Sequence, residues 1–470
     1  MTLLIEGGTV VSTTGAQPSE VLVDGERIVA LYAPGSAPAL AARAGADQVI
    51  DAAGTYVVPG GVDVHTHMQL PVGVTTSSDT FATGTRAAAW GGTTTIIDFA
   101  TQSVGEDVRE RFEARLAEAD GQCAIDYGLH MILGDVDDAA LAAVDALVAE
   151  GMTSMKLFMA YPGRLYSDDG QILRAMQTAA GNGALVMMHA ENGIAIDVLA
   201  AQAAARGDLG SIHHGLSRPA RLEGEATHRA IQLAAVAGAP LYIVHLSASE
   251  ALAQVAAARH EGANVFAETC PQYLYLNLED HLGRPGIEGA GYVCSPPLRS
   301  RHEHHRDDLW RGLRTDELAV VSTDHCPFCR KDQKDLGLHD FRVVPNGIGG
   351  VEHRMDLVYQ GVVMGELSLA RWVETCATTP ARMFGLYPRK GVIAPGSDAD
   401  IVIYDPEATT TISASTHHMA LDHSAYEGIE IAGGVRTVIS RGRVIVQGGA
   451  YHGAAGHGRY LRRDLTQYLR

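Results

Sequence analysis

Eight short apolar segments, each followed by a longer stretch of helical composition, recur between about residue 57 and residue 385 of the 470-residue chain. The segments are GVDVHTH, TTTIIDFA, IDYGLHMIL, TSMKLFMA, ALVMMHA, LYIVHLS, NVFAETC and LAVVSTD. Stretches between them, such as DVRERFEARLAEAD and DAALAAVDALVAEG, have polar starts and strong helix formers. Eight strand–helix units in one run predict an α/β fold, a (β/α)₈ TIM-like barrel. An open doubly wound sheet is less favoured, because the glycine-rich phosphate turn typical of such sheets is missing.

The two ends of the chain have a different pattern. Residues 1–56 contain TLLIEGGTVVS and SEVLVDGERIVALY, and residues 386–450 contain GSDADIVIYDP and RTVISRGRVIVQGG, all typical of strand–turn–strand units. Neither set is long enough to form a stable sheet alone. We therefore expect both ends to form one small β-sandwich domain beside a catalytic barrel of residues 57–385. The basic tail, 451–470, is expected either to fray in solvent or to dock on a neighbouring subunit.

Composition excludes several classes of partner. The 36 basic and 55 acidic residues give a net charge of −19, which argues against nucleic acid and anionic membranes. The start, MTLLIEGGTVV, lacks the features of a secretory signal, and the longest apolar run contains Pro240 and is too short for a bilayer. Six cysteines in so long a chain do not indicate a disulfide framework. We expect a soluble, cytoplasmic protein with a sizeable core.

His65 and His67 stand at the end of the first predicted strand. Side chains alternate between the faces of a strand, so these two point the same way and Thr66 points the other way. Their Cα atoms then lie roughly 6.5 Å apart, and both rings could reach one metal ion at about 2.1 Å. Because an isolated pair of this kind is more often a hydrogen-bonded pair in a core, further ligands are needed.

Four more strands end in residues that can carry chemistry, and barrel enzymes place their reacting groups at these ends. They are Lys156, His189, His245 and Asp324, from the fourth, fifth, sixth and eighth strands. Each has an ordinary alternative: a core histidine, a helix N-cap or a lysine that reaches the surface. Together with the first pair they form a nitrogen and oxygen set suited to zinc or similar ions. A buried, unpaired ammonium is costly, so Lys156 indicates a neutral or modified lysine.

A further set of motifs runs in order over nearly the whole chain. They are DVHTHMQLP, GGTTTIIDFA, KLFMAY, HAENG, YIVHLS, ETCPQYL, SPPLR, DHCPF, PNGIGGVEHR, FGLYPRKGVIAPGSDADIVIYDP and YEGIE. This ordered set resembles the hydantoinase and dihydropyrimidinase family of cyclic amidohydrolases. The resemblance implies hydrolytic ring opening of 5-substituted hydantoins or dihydropyrimidines to N-carbamoyl amino acids by a homotetramer or homodimer.

The resemblance also implies two Zn²⁺ or similar ions bridged by a carboxylated Lys156. One ion would be held by His65, His67, Lys156 and Asp324, and the other by Lys156, His189 and His245. A bridging hydroxide would attack the ring carbonyl, with Asp324 as general base and then general acid.

By the same resemblance, Tyr161 would donate a hydrogen bond to the developing oxyanion, and Ser295 and Asn346 would hold the cyclic amide. Apolar side chains are expected around the ring substituent and would permit a bulky group. They are Met68, Leu70, Val72, Phe158 and Met159.

Three related families are alternatives. Dihydroorotases typically place an arginine two residues after the histidine pair, where this chain has Gln69. Allantoinases fit the motifs, although the MQLP and MAYPG stretches favour a hydantoinase. Collapsin response mediator proteins are scaffolds that lack a complete metal site, whereas all six expected ligands are present here.

A zinc or redox role for Cys326 and Cys329 is disfavoured because no second pair completes the site. His325 is expected to point away from Asp324, where a supporting role is open.

Overall fold

The computed structural model of the protein describes residues 1–468. Its strands are β1 (Thr2–Glu6), β2 (Thr9–Ser12), β3 (Gly15–Pro18), β4 (Glu20–Asp24), β5 (Arg27–Tyr32), β6 (Gln48–Asp51), β7 (Tyr56–Pro59), β8 (Gly61–Thr66), β9 (Pro71–Val72), β10 (Thr75–Thr76), β11 (Thr93–Gln102), β12 (Asp126–Leu133), β13 (Ser154–Phe158), β14 (Leu185–His189), β15 (Leu241–Ile243), β16 (Val265–Thr269), β17 (Val320–Val321), β18 (Ile401–Thr411), β19 (Glu430–Ser440), β20 (Arg443–Gln447) and β21 (Ala450–Tyr451). Its α-helices are α1 (Ala37–Gly45), α2 (Phe81–Trp90), α3 (Val108–Ala119), α4 (Asp138–Ala149), α5 (Asp169–Asn182), α6 (Gly193–Ala205), α7 (Ile212–Leu216), α8 (Ala220–Ala237), α9 (Ser249–His260), α10 (Pro271–Tyr275), α11 (Gly286–Ala290), α12 (His305–Arg314), α13 (Arg354–Val363), α14 (Leu369–Val373) and α15 (Thr379–Met383). Short 3₁₀ turns lie at Lys334–Gly337 and Phe341–Val343, and π-helical turns at Leu278–Leu282 and Glu374–Thr378.

Eight parallel strands form one sheet in chain order, from β8 through β11–β16 to β17. The sheet closes on itself where the chain leaves β17. The amide of His67 donates to the carbonyl of His325 at 2.8 Å, and the amide of His325 donates to that of His65 at 3.3 Å. The predicted (β/α)₈ barrel is therefore confirmed.

Helices cover the outside of the barrel, so its strands are buried on both faces. Helix α5 illustrates how the sequence sets their ends. Asp168 accepts a hydrogen bond from the amide of Gln171, whose side chain in turn accepts from the amide of Asp168, and Gly183 ends the helix at φ 80°. Inside the barrel a second apolar cluster, which includes Phe99 and Phe384, fills the space between the strands. This filled interior leaves the mouth of the barrel for chemistry.

The β-domain has two sheets. One has the order β5-β4-β1-β6, and the other has the order β21-β20-β19-β18-β7-β2-β3. Strand β7 from the N-terminal part pairs antiparallel with β18 from the C-terminal part, so both chain ends share one sheet. Buried aliphatic side chains such as Ile5, Val23, Ile401 and Ile439 pack in one cluster between them. The predicted small β-domain from both chain ends is confirmed.

A buried charge cluster joins the β-domain to the barrel. The ammonium of Lys390 lies 2.6 Å from the carboxylates of both Asp126 and Asp400 and 2.9 Å from that of Asp398. All four side chains are buried. The three carboxylates are grouped closely enough to bind a metal ion, but the ammonium of Lys390 already supplies the compensating cation.

The C-terminal tail packs against the barrel of its own chain. The amide of Tyr127 donates to the carbonyl of Arg459 at 3.0 Å, and that of Leu461 donates back to Tyr127 at 2.7 Å. The buried Arg463 donates to the carbonyl of Leu129 at 2.7 Å and the hydroxyl of Ser154 at 2.8 Å. Residues 452–468 are thus packed and not frayed, whereas a contact with a neighbouring subunit stays a prediction. Residues 469 and 470 of the predicted tail lie outside the described residues.

No helix within residues 1–468 combines the length and the apolar character needed to cross a membrane.

Candidate active site

The predicted ligands of the first metal ion lie together at the mouth of the barrel. His65 is in β8, Lys156 is in β13, and Asp324 follows β17 by three residues. The Oδ1 atom of Asp324 lies 3.3 Å from Nε2 of His65 and 3.2 Å from Nε2 of His67. The Nζ atom of Lys156 lies 2.9 Å from Nε2 of His65. Four side chains from three separate strands therefore meet at one point.

The other two predicted ligands adjoin this group. His189 ends β14, and His245 lies two residues beyond β15. Their ring centroids are 4.5 Å apart, and those of His245 and His65 are 5.4 Å apart. The structure thus brings all six residues into one cluster.

The donor atoms of this cluster suit divalent metal ions. The separations of 3.2 and 3.3 Å between Asp324 and the two imidazoles match the ~3.4 Å edge of a tetrahedron with bonds of about 2.1 Å. Among the described residues, neither Nδ1 of His67 nor Nδ1 of His245 has a hydrogen-bond partner, although both are buried. Burial holds the pKa of His65 and His245 well below the usual value, so both rings are neutral and offer a lone pair.

Lys156 is fully enclosed by the site. Its ammonium lies 4.6 Å from the ring centre of Phe99 and 4.9 Å from that of Phe158. Burial lowers the pKa of Lys156 to about 8, although the carboxylates of Asp324 and Glu268 act in the opposite direction. At pH 7 a minor fraction, about one tenth, of the side chains is therefore the neutral amine, which is the nucleophilic form.

Asp324 is held ionised and in a strained conformation. Burial raises its pKa, but His65, His67 and Lys156 outweigh that effect and hold the pKa at about 2. Its φ of 50° lies in the left-handed region, as do those of His245 at 39° and Tyr161 at 61°. Non-glycine residues held in this region cluster at functional sites.

Three residues predicted to bind the substrate form a second group beside the cluster. The amide of Asn346 donates to the hydroxyl of Tyr161 at 3.4 Å. Burial and the carboxylate of Glu191 raise the pKa of Tyr161, although hydrogen bonds with Ser295 and Asn346 act in the opposite direction. The phenol therefore stays protonated and can donate a hydrogen bond. The Tyr161 ring centroid lies 5.5 Å from that of His189, which places this group against the proposed ligands.

Known proteins are similar to this chain over nearly its whole length. A sequence model of the amidohydrolase family matches residues 56–445. The chain is 60% identical over 466 residues to the D-hydantoinase of Streptomyces coelicolor, covering 99% of each chain. It is 46% identical over 463 residues to the D-hydantoinase of Ralstonia pickettii, covering 98% of this chain and 99% of the relative. The crystal structure of dihydropyrimidinase from Brevibacillus agri superposes with a TM-score of 0.96 at 44% identity, covering 99% of both chains.

The chain belongs to the hydantoinase and dihydropyrimidinase family of amidohydrolases. The predicted enzyme class, a hydrolase of C–N bonds in cyclic amides, is confirmed.

Sequence reasoning missed two buried carboxylates of this amidohydrolase. Glu268 in β16 lies 2.5 Å from Nδ1 of His65 and accepts from the amide of His245 at 3.2 Å, so it orients two proposed ligands. Glu191 accepts from the hydroxyl of Ser295 at 2.8 Å and lies 2.9 Å from Nε2 of His189. Both occur in quoted motifs, ETCPQYL and HAENG, and a carboxylate at the end of an apolar strand was the available signal.

The five apolar residues predicted around the ring substituent lie in three different parts of the structure: at the site, at the hairpin β9–β10 and in the main apolar core. Phe158 stacks on His189 with ring centroids 5.1 Å apart, at the edge of the site. Leu70 and Val72 are half-buried; Leu70 precedes the hairpin β9–β10, and Val72 lies in it. Met68 and Met159 are fully buried in the main apolar core. The side chain of Met68 lies where α2 has Gly84, whose missing Cβ leaves room for the Met68 sulfur.

Two residues with undecided roles lie outside the cluster of this amidohydrolase. His325 is buried, with Nε2 3.1 Å from Asp79, and its Nδ1 accepts from the amide of Gly350 at 3.1 Å. It therefore connects the residues that precede α2 to the loop that contains Gly350. The Sγ atom of Cys329 lies 3.7 Å from the carbonyl of Ala420, and all six cysteines are free.

Proposed function

We propose that this amidohydrolase opens the ring of 5-substituted hydantoins, with preference for the D enantiomer, and of dihydropyrimidines. The products would be N-carbamoyl amino acids. The observation that carries the proposal is the group formed by Tyr161, Ser295 and Asn346 directly beside the cluster of candidate metal ligands. The preference for the D enantiomer is supported by the names of relatives: proteins called D-hydantoinase reach 60% identity, whereas a structure called L-hydantoinase shares 28%.

We propose that the cluster holds two Zn²⁺ or similar ions. His65, His67, Lys156 and Asp324 would hold one ion, and Lys156, His189 and His245 the other. Lys156 would bridge both as a carbamate, because its neutral amine can form a C–N bond with carbon dioxide and lose a proton. The change from a cation to an anion also removes the repulsion between Lys156 and the ions. When bound, the ions would polarise the amide carbonyl and lower the pKa of water.

The side chains of the site would then transfer the proton of the attacking water and stabilise the negative charge that develops on the carbonyl oxygen. Asp324 would accept the proton of the attacking water and deliver it to the ring nitrogen, as one C–O bond forms and the amide C–N bond breaks. Tyr161 would donate its hydroxyl to the carbonyl oxygen as negative charge develops there. Ser295 and Asn346 would hold the flat ring in line with the attack.

Ring opening of dihydrouracil and of D- and L-5-phenylhydantoin, before and after treatment with a chelator, tests this proposal. Fast, chelator-sensitive opening of the D-aryl hydantoin supports it, and the rate on dihydrouracil measures the dihydropyrimidinase activity. Metal-bound protein that opens none of the three but opens allantoin would make it an allantoinase. Protein that binds no metal and opens none of these substrates would support the alternative of a non-catalytic scaffold.

We further propose a homo-oligomer, a tetramer or a dimer, in the cytoplasm. Large apolar side chains are exposed on α6, on α7 and in the segment that follows β17, which favours burial against another copy of the chain. They are Ile194, Val198, Leu216, Leu336 and Val343. Light scattering of the purified protein tests the assembly, and a monomer at micromolar concentration would refute it.

A further inference from the structure

Two consecutive residues, Gln333 and Lys334, bind different segments that carry residues proposed to contact the substrate. They lie in residues 329–338, which we term the brace. The brace follows Asp324 and is fixed at its start by the carboxylate of Asp422, which accepts from the amides of Arg330 at 2.7 Å and Lys331 at 3.1 Å.

Lys334 binds the loops that carry the proposed ring contacts. Its buried ammonium donates to the carbonyls of Val293 at 2.8 Å, Pro345 at 2.7 Å and Gly347 at 2.8 Å. Val293 lies two residues before Ser295, and the other two carbonyls flank Asn346. The amide of Gly347 also donates to the carbonyl of Val293 at 2.9 Å, so the two loops meet at the ammonium.

Lys334 is a buried cation that is held by backbone carbonyls. No carboxylate of the described residues pairs with Lys334, and burial lowers its pKa to about 7. An apolar side chain of similar size would avoid the desolvation penalty but would remove the donor that these three carbonyls share. The three convergent carbonyls fix the position of the ammonium. The ammonium in turn holds together the two loops that carry these carbonyls.

Gln333 binds the hairpin β9–β10. Its Nε2 donates to the hydroxyl of Thr75 at 2.8 Å and the carbonyl of Thr76 at 2.7 Å. Its Oε1 accepts from the amide of Cys329 at 2.6 Å, so the side chain is fixed from both ends. The hairpin includes Val72, one of the residues expected beside the ring substituent.

We propose that Gln333 and Lys334 are positioning residues with separate effects on the substrate. Lys334 sets the contacts of the ring, which every substrate shares, and Gln333 sets the hairpin that meets the substituent. The adjacency of the two residues connects the loops bound by Lys334 to the hairpin bound by Gln333. This inference rests on the proposed function, because it assigns each of these segments a part of the cyclic amide.

Steady-state kinetics with unsubstituted hydantoin and D-5-phenylhydantoin test the proposal, since the two share one ring. We expect Lys334→Met to lower kcat/KM about 10- to 100-fold for both substrates by the same factor, mainly through KM, with zinc content unchanged. Gln333→Met is expected to lower kcat/KM for the phenyl substrate about tenfold relative to hydantoin. Lys331→Met, an exposed position in the same brace, is the matched control and should change neither.

The proposal is overturned if both variants shift the two substrates alike, or if they lower only the melting temperature and leave the kinetic constants unchanged. Should Lys334→Met not fold, Lys334→Gln replaces it; its amide keeps two donors, so a smaller loss, again equal for the two substrates, is expected. Wild-type protein that opens neither hydantoin refutes the proposed function. Turnover by the wild type with unaltered variants refutes only the roles of Gln333 and Lys334.

Discussion

Replacement of Glu268 by Gln tests whether a buried carboxylate tunes the proposed metal site. Glu268 accepts from the hydroxyl of Tyr242 at 2.8 Å through Oε2, and its Oε1 faces His65 at 2.5 Å and the amide of His245 at 3.2 Å. A glutamine has only one acceptor oxygen. Either the tyrosine hydroxyl or the imidazole would then face an NH₂ group and lose its partner.

The size of the effect follows from these contacts. Loss of one buried hydrogen bond costs about 1–3 kcal/mol, and loss of a carboxylate behind a metal-binding histidine weakens metal affinity by about 10- to 100-fold. The two estimates agree, because a 100-fold change is about 2.8 kcal/mol. We therefore expect the Kd for zinc to rise 10- to 100-fold. Competition of the apo-protein with a chromophoric chelator measures that Kd.

Glu352→Gln is the matched control. Glu352 also binds an imidazole, with Oε1 2.7 Å from Nδ1 of His418, but that histidine is not a proposed ligand. Its zinc affinity should equal that of the wild type. A Kd for Glu268→Gln within twofold of the control would refute the argument that Glu268 orients His65 for metal binding.

Three further predictions address the remaining site and the fold. Lys156→Ala should lose bound metal and activity together, and retained metal with full activity would contradict the bridging role. Tyr161→Phe should lower kcat about 100- to 1,000-fold with intact metal content, as expected for removal of an oxyanion donor; unchanged kcat in steady-state assays would refute that role. Lys390→Met should lower the free energy of unfolding by about 3–5 kcal/mol in urea titrations, because it leaves the buried carboxylate of Asp400 without a cation, whereas Asp126 keeps Arg441 and Asp398 keeps Arg27. Burial opposes the charged form of both groups, but Asp400, Asp126 and Asp398 raise the pKa of Lys390, and Lys390 and Arg441 lower that of Asp126, so this difference should be full between about pH 5 and pH 10. It should shrink as the pH rises further, when Lys390 loses its proton, and as the pH falls further, when Asp126 gains one, and a difference independent of pH would contradict the assignment.

The barrel and its strand-end residues were predictable because both depend on simple periodicities. Strands alternate their faces and barrel strands end at one rim, so the positions of His65 and Asp324 along the chain were enough to bring them together. Met68 shows where this reasoning stops. Its position after the strand suggested the pocket, but its side chain turns under α2, where Gly84 leaves space. That space is set by a helix more than ten residues away, and no local pattern encodes it.

The basic composition of the C-terminal tail also did not predict how the tail packs. Residues 451–470 are basic, which is typical of a solvated end, yet Arg463 is buried and donates to two barrel strands. Gly128 and Gly151 lie beside this part of the tail, where a side chain at either position would crowd it. The contacts of Glu268 could not be predicted from the sequence either, because its partners come from strands far apart along the chain. Such contacts depend on the closed barrel and not on neighbouring residues.

The pairing of β7 with β18 and the packing of the tail beneath the barrel also determine which surfaces stay exposed while the chain is being synthesised. Strand β7 leaves the ribosome early but waits for a partner from the last quarter of the chain. The contacts of Tyr127 with Arg459 and Leu461 come later still. Until β18 has been made, the new chain therefore exposes an unpaired edge of β7, and until residue 461 has been made it exposes an uncovered barrel face. Premature termination before β18 would leave both surfaces open to aggregation, and termination between β18 and residue 459 would leave the barrel face open, however complete the active site.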